Sequence, residues 1–127
     1  MQIFYIIVDR RDFSALSKLA QSYQWKLHSK YAEIFNKIKN SDLILFCKES
    51  HHSWDIILKL KEKQIIKIKN MDEFEFREQA KTLSLEFENK NYLSEYLNSF
   101  DVPNISKLKP GIYFLENISV NKKQEKI

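Results

Sequence analysis

Trp25 is the residue whose type and setting most suggest binding chemistry. Its neighbours Gln24, Lys26 and His28 are polar, so the indole ring is not framed by an apolar stripe. Such a ring either covers the edge of the hydrophobic core or offers a face on which a ligand stacks. A nucleic-acid base gains roughly 1–3 kcal/mol by stacking on an aromatic side chain, and extruding that base costs about as much. A working pocket therefore needs a second aromatic wall.

Four other aromatic residues are candidates for that second wall. They are Tyr31, Trp54, Phe74 and Phe76. Trp54 alternates in phase with the apolar residues of a predicted strand, and Tyr31 opens an apolar helix face, so core packing is the simpler interpretation of both. The two phenylalanines fall in an acidic and aromatic segment without a clear period.

The composition excludes most familiar catalytic sites. The only glycine is Gly111, so no Walker loop, dinucleotide fingerprint or nucleophile elbow can be formed. The only cysteine is Cys47, which excludes cysteine-rich zinc sites. We therefore expect no catalytic site, no metal and no cofactor. The alternative of a small nuclease or toxin would draw on acids and histidines of one loop, namely Glu49, His51, His52 and Asp55.

The length of the chain indicates one folded domain, and its charge indicates a mild preference for anionic partners. The 127 residues are 43% hydrophobic and 30% charged, which is ordinary for a globular domain. The longest apolar runs are too short to cross a bilayer, and the N-terminus lacks the features of a signal peptide. With one unpaired cysteine, these features predict an intracellular, cytoplasmic protein. The net charge of +4 favours anionic partners.

The apolar pattern predicts a mixed set of strands and helices. Strands are predicted at 3–8, 43–47, 54–60, 64–69, 82–87 and within 112–120, with a hairpin turn at Glu62 and Lys63. Helical spacing predicts helices at 16–23, 31–38 and 92–100, with Trp25 in a loop between the first two. Closely spaced strands without regular helical crossovers predict an α+β fold, a mixed curved sheet or small barrel flanked by helices. Residues 1–120 would form one domain and residues 121–127 a charged tail or linker.

Three segments in this order resemble the YTH/EVE group of the PUA-like superfamily. They are FYIIVDRRDFSALSKLAQSYQW at 4–25, KIKNSDLILFC at 37–47 and SWDIILKL at 53–60. The first is similar to an EVE opening, in which an aromatic strand leads through a helix to a tryptophan. Ser41 stands where EVE domains often carry glycine. Beyond residue 60 only AKTLSLEF followed by a helix is similar.

The resemblance implies a pocket for a modified base. YTH domains hold N6-methyladenine of RNA in an aromatic cage, and similar domains of McrB-like restriction proteins flip a methylated base out of DNA. By this resemblance Trp25 is the first cage wall, and the second lies in residues 70–76, which contain both phenylalanines. Asp9 would accept a hydrogen bond from an exocyclic amine of the base. The alternative for Asp9 is a helix cap or an ion pair with Arg10 or Arg11.

The basic residues are candidates for a phosphate-binding face, with a hydrated surface as the alternative. The candidates are Arg10, Arg11, Lys26, Lys30, Lys67 and Lys69. The predicted function is a non-enzymatic module that binds nucleic acid, preferably methylated DNA and alternatively RNA, through a flipped base. It would be the specificity domain of a McrBC-type restriction system, whose AAA+ motor and nuclease lie outside this chain. Two further functions fit the same residues: a stand-alone PUA-like RNA binder, and a protein-interaction domain in which every aromatic belongs to the core.

Overall fold

The structure is a computed structural model that describes residues 1–67, 81–99 and 104–115. A six-stranded sheet forms its centre. In chain order the strands are β1 (Ile3–Val8), β2 (Gln24–Leu27), β3 (Leu43–Lys48), β4 (Ile56–Lys67), β5 (Lys81–Phe87) and β6 (Gly111–Leu115). Across the sheet they are ordered β2-β5-β4-β3-β1-β6. β1 and β3 are parallel and every other neighbouring pair is antiparallel. The predicted mixed sheet of an α+β fold is confirmed.

Short helices connect the strands. The helices are α1 (Ala15–Ser22), α2 (Ala32–Lys37) and α3 (Leu93–Tyr96), with 3-10 turns at Ser29–Tyr31 and Ile105–Lys107. α1, β2 and α2 together form the connection between the parallel strands β1 and β3. α3 is shorter than the helix predicted at 92–100. Among the described helices, none has the length and apolar character needed to cross a membrane.

The side chains of β1 divide between two hydrophobic clusters. Phe4, Ile6 and Val8 pack on one face, in a first cluster that also contains residues of α1, α2 and β5. Ile3 and Tyr5 lie on the other face, in a second cluster with residues of β3 and with Trp54. Successive residues of a strand point to opposite faces, so a strand buried on both faces is continuously apolar. This is why the sequence alone predicted β1 and β3 as strands.

Trp25 lies in a strand, and the predicted loop is wrong. α1 ends at Tyr23, whose φ of 54° is left-handed and whose N–H donates to the carbonyl of Leu19 at 2.8 Å. The chain then becomes extended, and Trp25 pairs with Leu85 of β5. The four residues of β2 alternate polar and apolar, which places Trp25 and Leu27 on the side of the first cluster.

β4 is a single strand of 12 residues where two strands and a hairpin turn were predicted. Its first residues pair with β3, and from Leu60 onward it pairs with β5. The register shifts between Leu60 and Glu62. The charged residues that resembled a turn therefore lie within the strand, next to this register shift.

The sheet is curved. Trp25 of β2 and Phe46 of β3 are three strand positions apart, which corresponds to about 14 Å in a flat sheet. Their ring centroids are 5.2 Å apart. In addition, β2 and β6 stand at opposite ends of the strand order, yet residues of both line one cavity. The predicted curved sheet is therefore confirmed, and its concave side holds the first cluster.

Candidate functional site

A cavity of about 220 Å³ opens where the end of β1 meets β2 and the start of β6. We call it the Trp25 cavity. Its walls include three residues that the sequence analysis selected for base binding, Asp9, Trp25 and Tyr31. Lys26, His28 and Gly111 also line it. The curvature of the sheet brings these residues together, because β2 and β6 would be distant in a flat sheet.

Trp25 is half-buried and has two kinds of neighbour. Its ring packs against Phe46 and the first cluster, with an angle of 60° between the two ring planes. It also lines the cavity. Trp25 therefore contacts the core and also borders the cavity.

Asp9 forms an ion pair with Arg11. Arg11 donates to Oδ1 from its backbone N–H at 2.9 Å and from Nε at 3.2 Å, and to Oδ2 from Nη2 at 2.8 Å. The side-chain hydrogen bond from Arg11 is the main cause that lowers the pKa of Asp9 to about 2. A carboxylate has about four acceptor positions, and Arg11 occupies three of them. Asp9 is thus an ionised acceptor that Arg11 holds in place.

The turn after β2 positions Tyr31 at the rim of the cavity. His28 caps this turn: its Nδ1 accepts from the N–H of Lys30, and its carbonyl accepts from the N–H of Tyr31, both at 3.0 Å. Because Nδ1 accepts, His28 carries its proton on Nε2. The ammonium of Lys30 lies 5.2 Å from the centroid of the Tyr31 ring. These contacts hold the half-buried Tyr31 ring between the cavity and the surface.

The structure does not bring Trp54 to this cavity. Trp54 is 3% exposed and packs in the second cluster, with its ring 5.6 Å from that of Tyr5. It is therefore on the opposite face of the sheet from Trp25, although it was predicted to share a face with Ile56. The predicted phase fails because Trp54 precedes β4 instead of belonging to it. As a core residue, Trp54 does not form a wall with Trp25.

The other predicted site residues are only partly described. Phe74, Phe76 and Lys69 lie outside the described residues, and Lys67 is described by its backbone alone. Arg10 is exposed, and the Arg11 side chain is 86% exposed and paired with Asp9. Lys26 lines the Trp25 cavity, and Lys30 lies beside Tyr31.

Sequence reasoning missed two parts of the site. His28 was noted only as a polar neighbour of Trp25, although a histidine before a helical turn is a possible cap. The strand predicted within 112–120 was not related to Trp25, although residues 110–112 line the same cavity. Nothing local in the sequence indicates that β6 reaches the same cavity as β2, because this depends on the curvature of the whole sheet.

The residues of the nuclease alternative form a hydrogen-bonded loop. Nδ1 of His51 lies 3.2 Å from each carboxylate oxygen of Asp55, and Asp55 Oδ2 also accepts from the N–H of Lys48 at 2.8 Å. His52 is exposed. Across residues 1–67, 81–99 and 104–115, no group of three or more metal-ligating side chains is assembled. The Cys47 thiol is buried, which raises its pKa to about 12 and leaves it unreactive.

Comparisons with known proteins find similarity among solved structures. No family model matches the chain, and no curated protein matches it. Among solved structures it is similar to the YTH domain of the Zygosaccharomyces rouxii MRB1 protein in complex with N6-methyladenosine RNA. The TM-score is 0.46 and the identity 8%, over 98% of this chain and 85% of that chain.

Proposed function

We propose that this protein is a non-enzymatic nucleic-acid reader that holds a flipped, methylated base in the Trp25 cavity. The observation that carries the proposal is the convergence of Asp9, Trp25 and Tyr31 on one cavity. Two aromatic side chains and one ionised acceptor supply stacking and base-edge hydrogen bonding, which are the two interactions that recognise an extruded base.

The base edge would be recognised by Asp9. The exocyclic amine of adenine or cytosine donates to a carboxylate, and a singly methylated N6 still carries one N–H. Because the pKa of Asp9 is lowered to about 2, the acceptor is ionised at every physiological pH. Guanine and thymine carry the acceptors O6 and O4 at the position where adenine and cytosine carry the amine.

The methyl group would be recognised by apolar contact. Ile6, Leu27 and Ile112 line the cavity beside Trp25. Burying one methyl group contributes about 0.8 kcal/mol, which corresponds to roughly fourfold in affinity. We therefore expect the methylated base to bind about fourfold more tightly, or better, than its unmethylated form.

The proposal extends to methylated DNA and to the specificity domain of a McrBC-type restriction system, following the sequence resemblance. The net charge of +4 suits a polyanionic partner. The AAA+ motor and nuclease of such a system would be supplied outside this chain. RNA is the alternative polymer, since the same exocyclic amines and methyl groups occur there.

Matched oligonucleotides test the proposal. Dissociation constants are measured for DNA and RNA strands with or without one N6-methyladenine or 5-methylcytosine. Trp25→Leu should weaken binding of the preferred strand about tenfold to a hundredfold, because the stacking face is removed. Phe13→Leu is the control, because Phe13 is 84% exposed and does not line the Trp25 cavity. Equal affinity for the methylated and unmethylated forms of every strand would refute the proposal that this protein recognises a methylated base.

The proposal also includes the absence of catalysis, which is tested separately. Plasmid DNA and labelled RNA are incubated with the protein in magnesium and in manganese, and we expect no cleavage. Cleavage that His52→Ala abolishes would instead favour the nuclease alternative, in which the exposed His52 acts beside the His51–Asp55 pair.

A further inference from the structure

A second concavity, of about 810 Å³, lies between α2 and the start of β1, beside β6. Three lysines and one glutamate line it: Lys30, Lys37, Lys39 and Glu33. We call it the lysine groove. Tyr31 lines both the lysine groove and the Trp25 cavity. The two concavities therefore adjoin at Tyr31.

Phe114 gives the lysine groove an exposed aromatic face. It is 53% exposed although it belongs to β6. Its ring meets the fully buried ring of Phe4 edge to face, with centroids 5.2 Å apart. The buried ring fixes the position of Phe114, and its exposure leaves ring surface available for a ligand.

The charge of the groove favours an anionic chain. Its three lysines and one glutamate leave an excess of two positive charges. Proteins bind single-stranded nucleic acid with basic residues along its phosphate backbone and with aromatic side chains on which its bases stack. An acidic peptide would use the lysines but would gain nothing specific from Phe114 and Tyr31.

We infer that the lysine groove binds an unpaired nucleic-acid strand that flanks the base held in the Trp25 cavity. The inference rests on the proposed function and narrows its substrate to single strands. Phe114 stacks one flanking base while the lysines contact the phosphates. In an intact duplex each base is covered by its neighbours on both faces, so no base would be available to Phe114.

The test compares a long and a short ligand. The long one is an unpaired nonanucleotide with one central methylated base, and the short one is the trinucleotide around the same base. Lys37→Glu/Lys39→Glu should weaken binding of the nonanucleotide about tenfold and leave the trinucleotide within about twofold. The slope of log K against log salt should become shallower by about 1.4, since each phosphate on a single strand contributes about 0.7.

A matched control and a milder variant make the result specific. Lys18→Glu/Lys107→Glu changes the net charge equally, at exposed lysines that line neither the groove nor the Trp25 cavity. It should bind both ligands within about twofold of wild type. Lys37→Gln/Lys39→Gln should give an intermediate loss for the nonanucleotide alone, and it serves if the charge reversal impairs folding.

The outcomes separate the inference from the proposed function. If the groove variants bind the nonanucleotide like wild type while Trp25→Leu weakens both ligands, the groove inference is wrong and the reader stands. Duplex binding as tight as single-strand binding, or equally strong competition by polyglutamate, would also overturn it. If neither ligand prefers the methylated base, the proposed function itself fails. DNA and RNA versions of the nonanucleotide identify the polymer.

Discussion

The indole ring of Trp25 packs against the ring of Phe46, with centroids 5.2 Å apart and planes inclined by 60°. Phe46 is fully buried, whereas Trp25 is half-buried and lines a cavity. Trp25 therefore contacts the core and also borders the cavity. Truncation at this position affects stability and binding together.

Two substitutions at Trp25 separate these effects. Trp25→Ala should lower the free energy of unfolding by roughly 2 kcal/mol, below the 3–5 kcal/mol typical of a fully buried tryptophan, because the ring is only half-buried. Trp25→Leu should retain most of that stability, since leucine still contacts Phe46. Both should lose affinity about tenfold to a hundredfold. Urea denaturation and oligonucleotide titration of the same samples check this, and wild-type affinity of Trp25→Leu would remove Trp25 from the site.

The ion pair between Asp9 and Arg11 predicts a specific acid titration. The carboxylate pKa is lowered to about 2 in the folded protein, from an ordinary value of 3.8. Because the folded pKa is the lower one, the contribution of this pair to stability is present above about pH 4 and disappears as the pH falls towards 2. A carbon-detected NMR titration of Asp9 should place its midpoint near pH 2.

Two arginine variants identify the cause of this lowered pKa. Arg11→Ala should move the midpoint back towards 3.8, since the side-chain hydrogen bond from Arg11 is the largest cause. Arg10→Ala should move it much less, because Arg10 acts only through charge at the surface. Identical midpoints in wild type and Arg11→Ala would contradict the observed pairing.

Asp42 joins the start of β1 to the turn before β3. It is 4% exposed, and its carboxylate accepts from the backbone N–H of Gln2 at 2.9 Å, from the Gln2 side chain at 3.2 Å and from the N–H of Lys39 at 2.8 Å. Asp42→Ala leaves both backbone donors unpaired and should lower the free energy of unfolding by roughly 1–3 kcal/mol. Asp42→Asn retains one acceptor oxygen and should lose less. Urea midpoints that rank the asparagine variant below the alanine variant would show that these hydrogen bonds do not stabilise the fold.

The strands buried on both faces were predictable because their composition alone identifies them. The continuous apolar runs at 3–8 and 43–47 both lie in strands. Ser41, in the turn before β3, has a left-handed φ of 73°, a conformation that glycine adopts without strain.

The errors arise where pairing partners decide the structure. Gln24–Leu27 is too short to be distinguished from a loop until β5 pairs with it. The charged residues near Glu62 favour a turn, but the strand continues because its two halves pair with different neighbours. The candidate site likewise combines residues that the sequence identifies with contacts that depend on the whole fold. Trp25 could be selected from its type and polar neighbours, and Asp9 from the family resemblance. That Tyr31 and Gly111 lie at the same cavity depends on the curved sheet.

The NMR signals of the two indole N–H groups test the central claim most directly. Trp25 lines the cavity, and Trp54 is buried on the opposite face of the sheet, so the two signals report on separate environments. The Trp25→Leu spectrum, which lacks one signal, assigns them. Titration with the methylated oligonucleotide should shift the Trp25 signal and leave that of Trp54 in place, with a smaller shift from the unmethylated strand at equal concentration. An unchanged Trp25 signal at saturating methylated oligonucleotide, or equal shifts from both strands, would contradict a methylated base bound against Trp25.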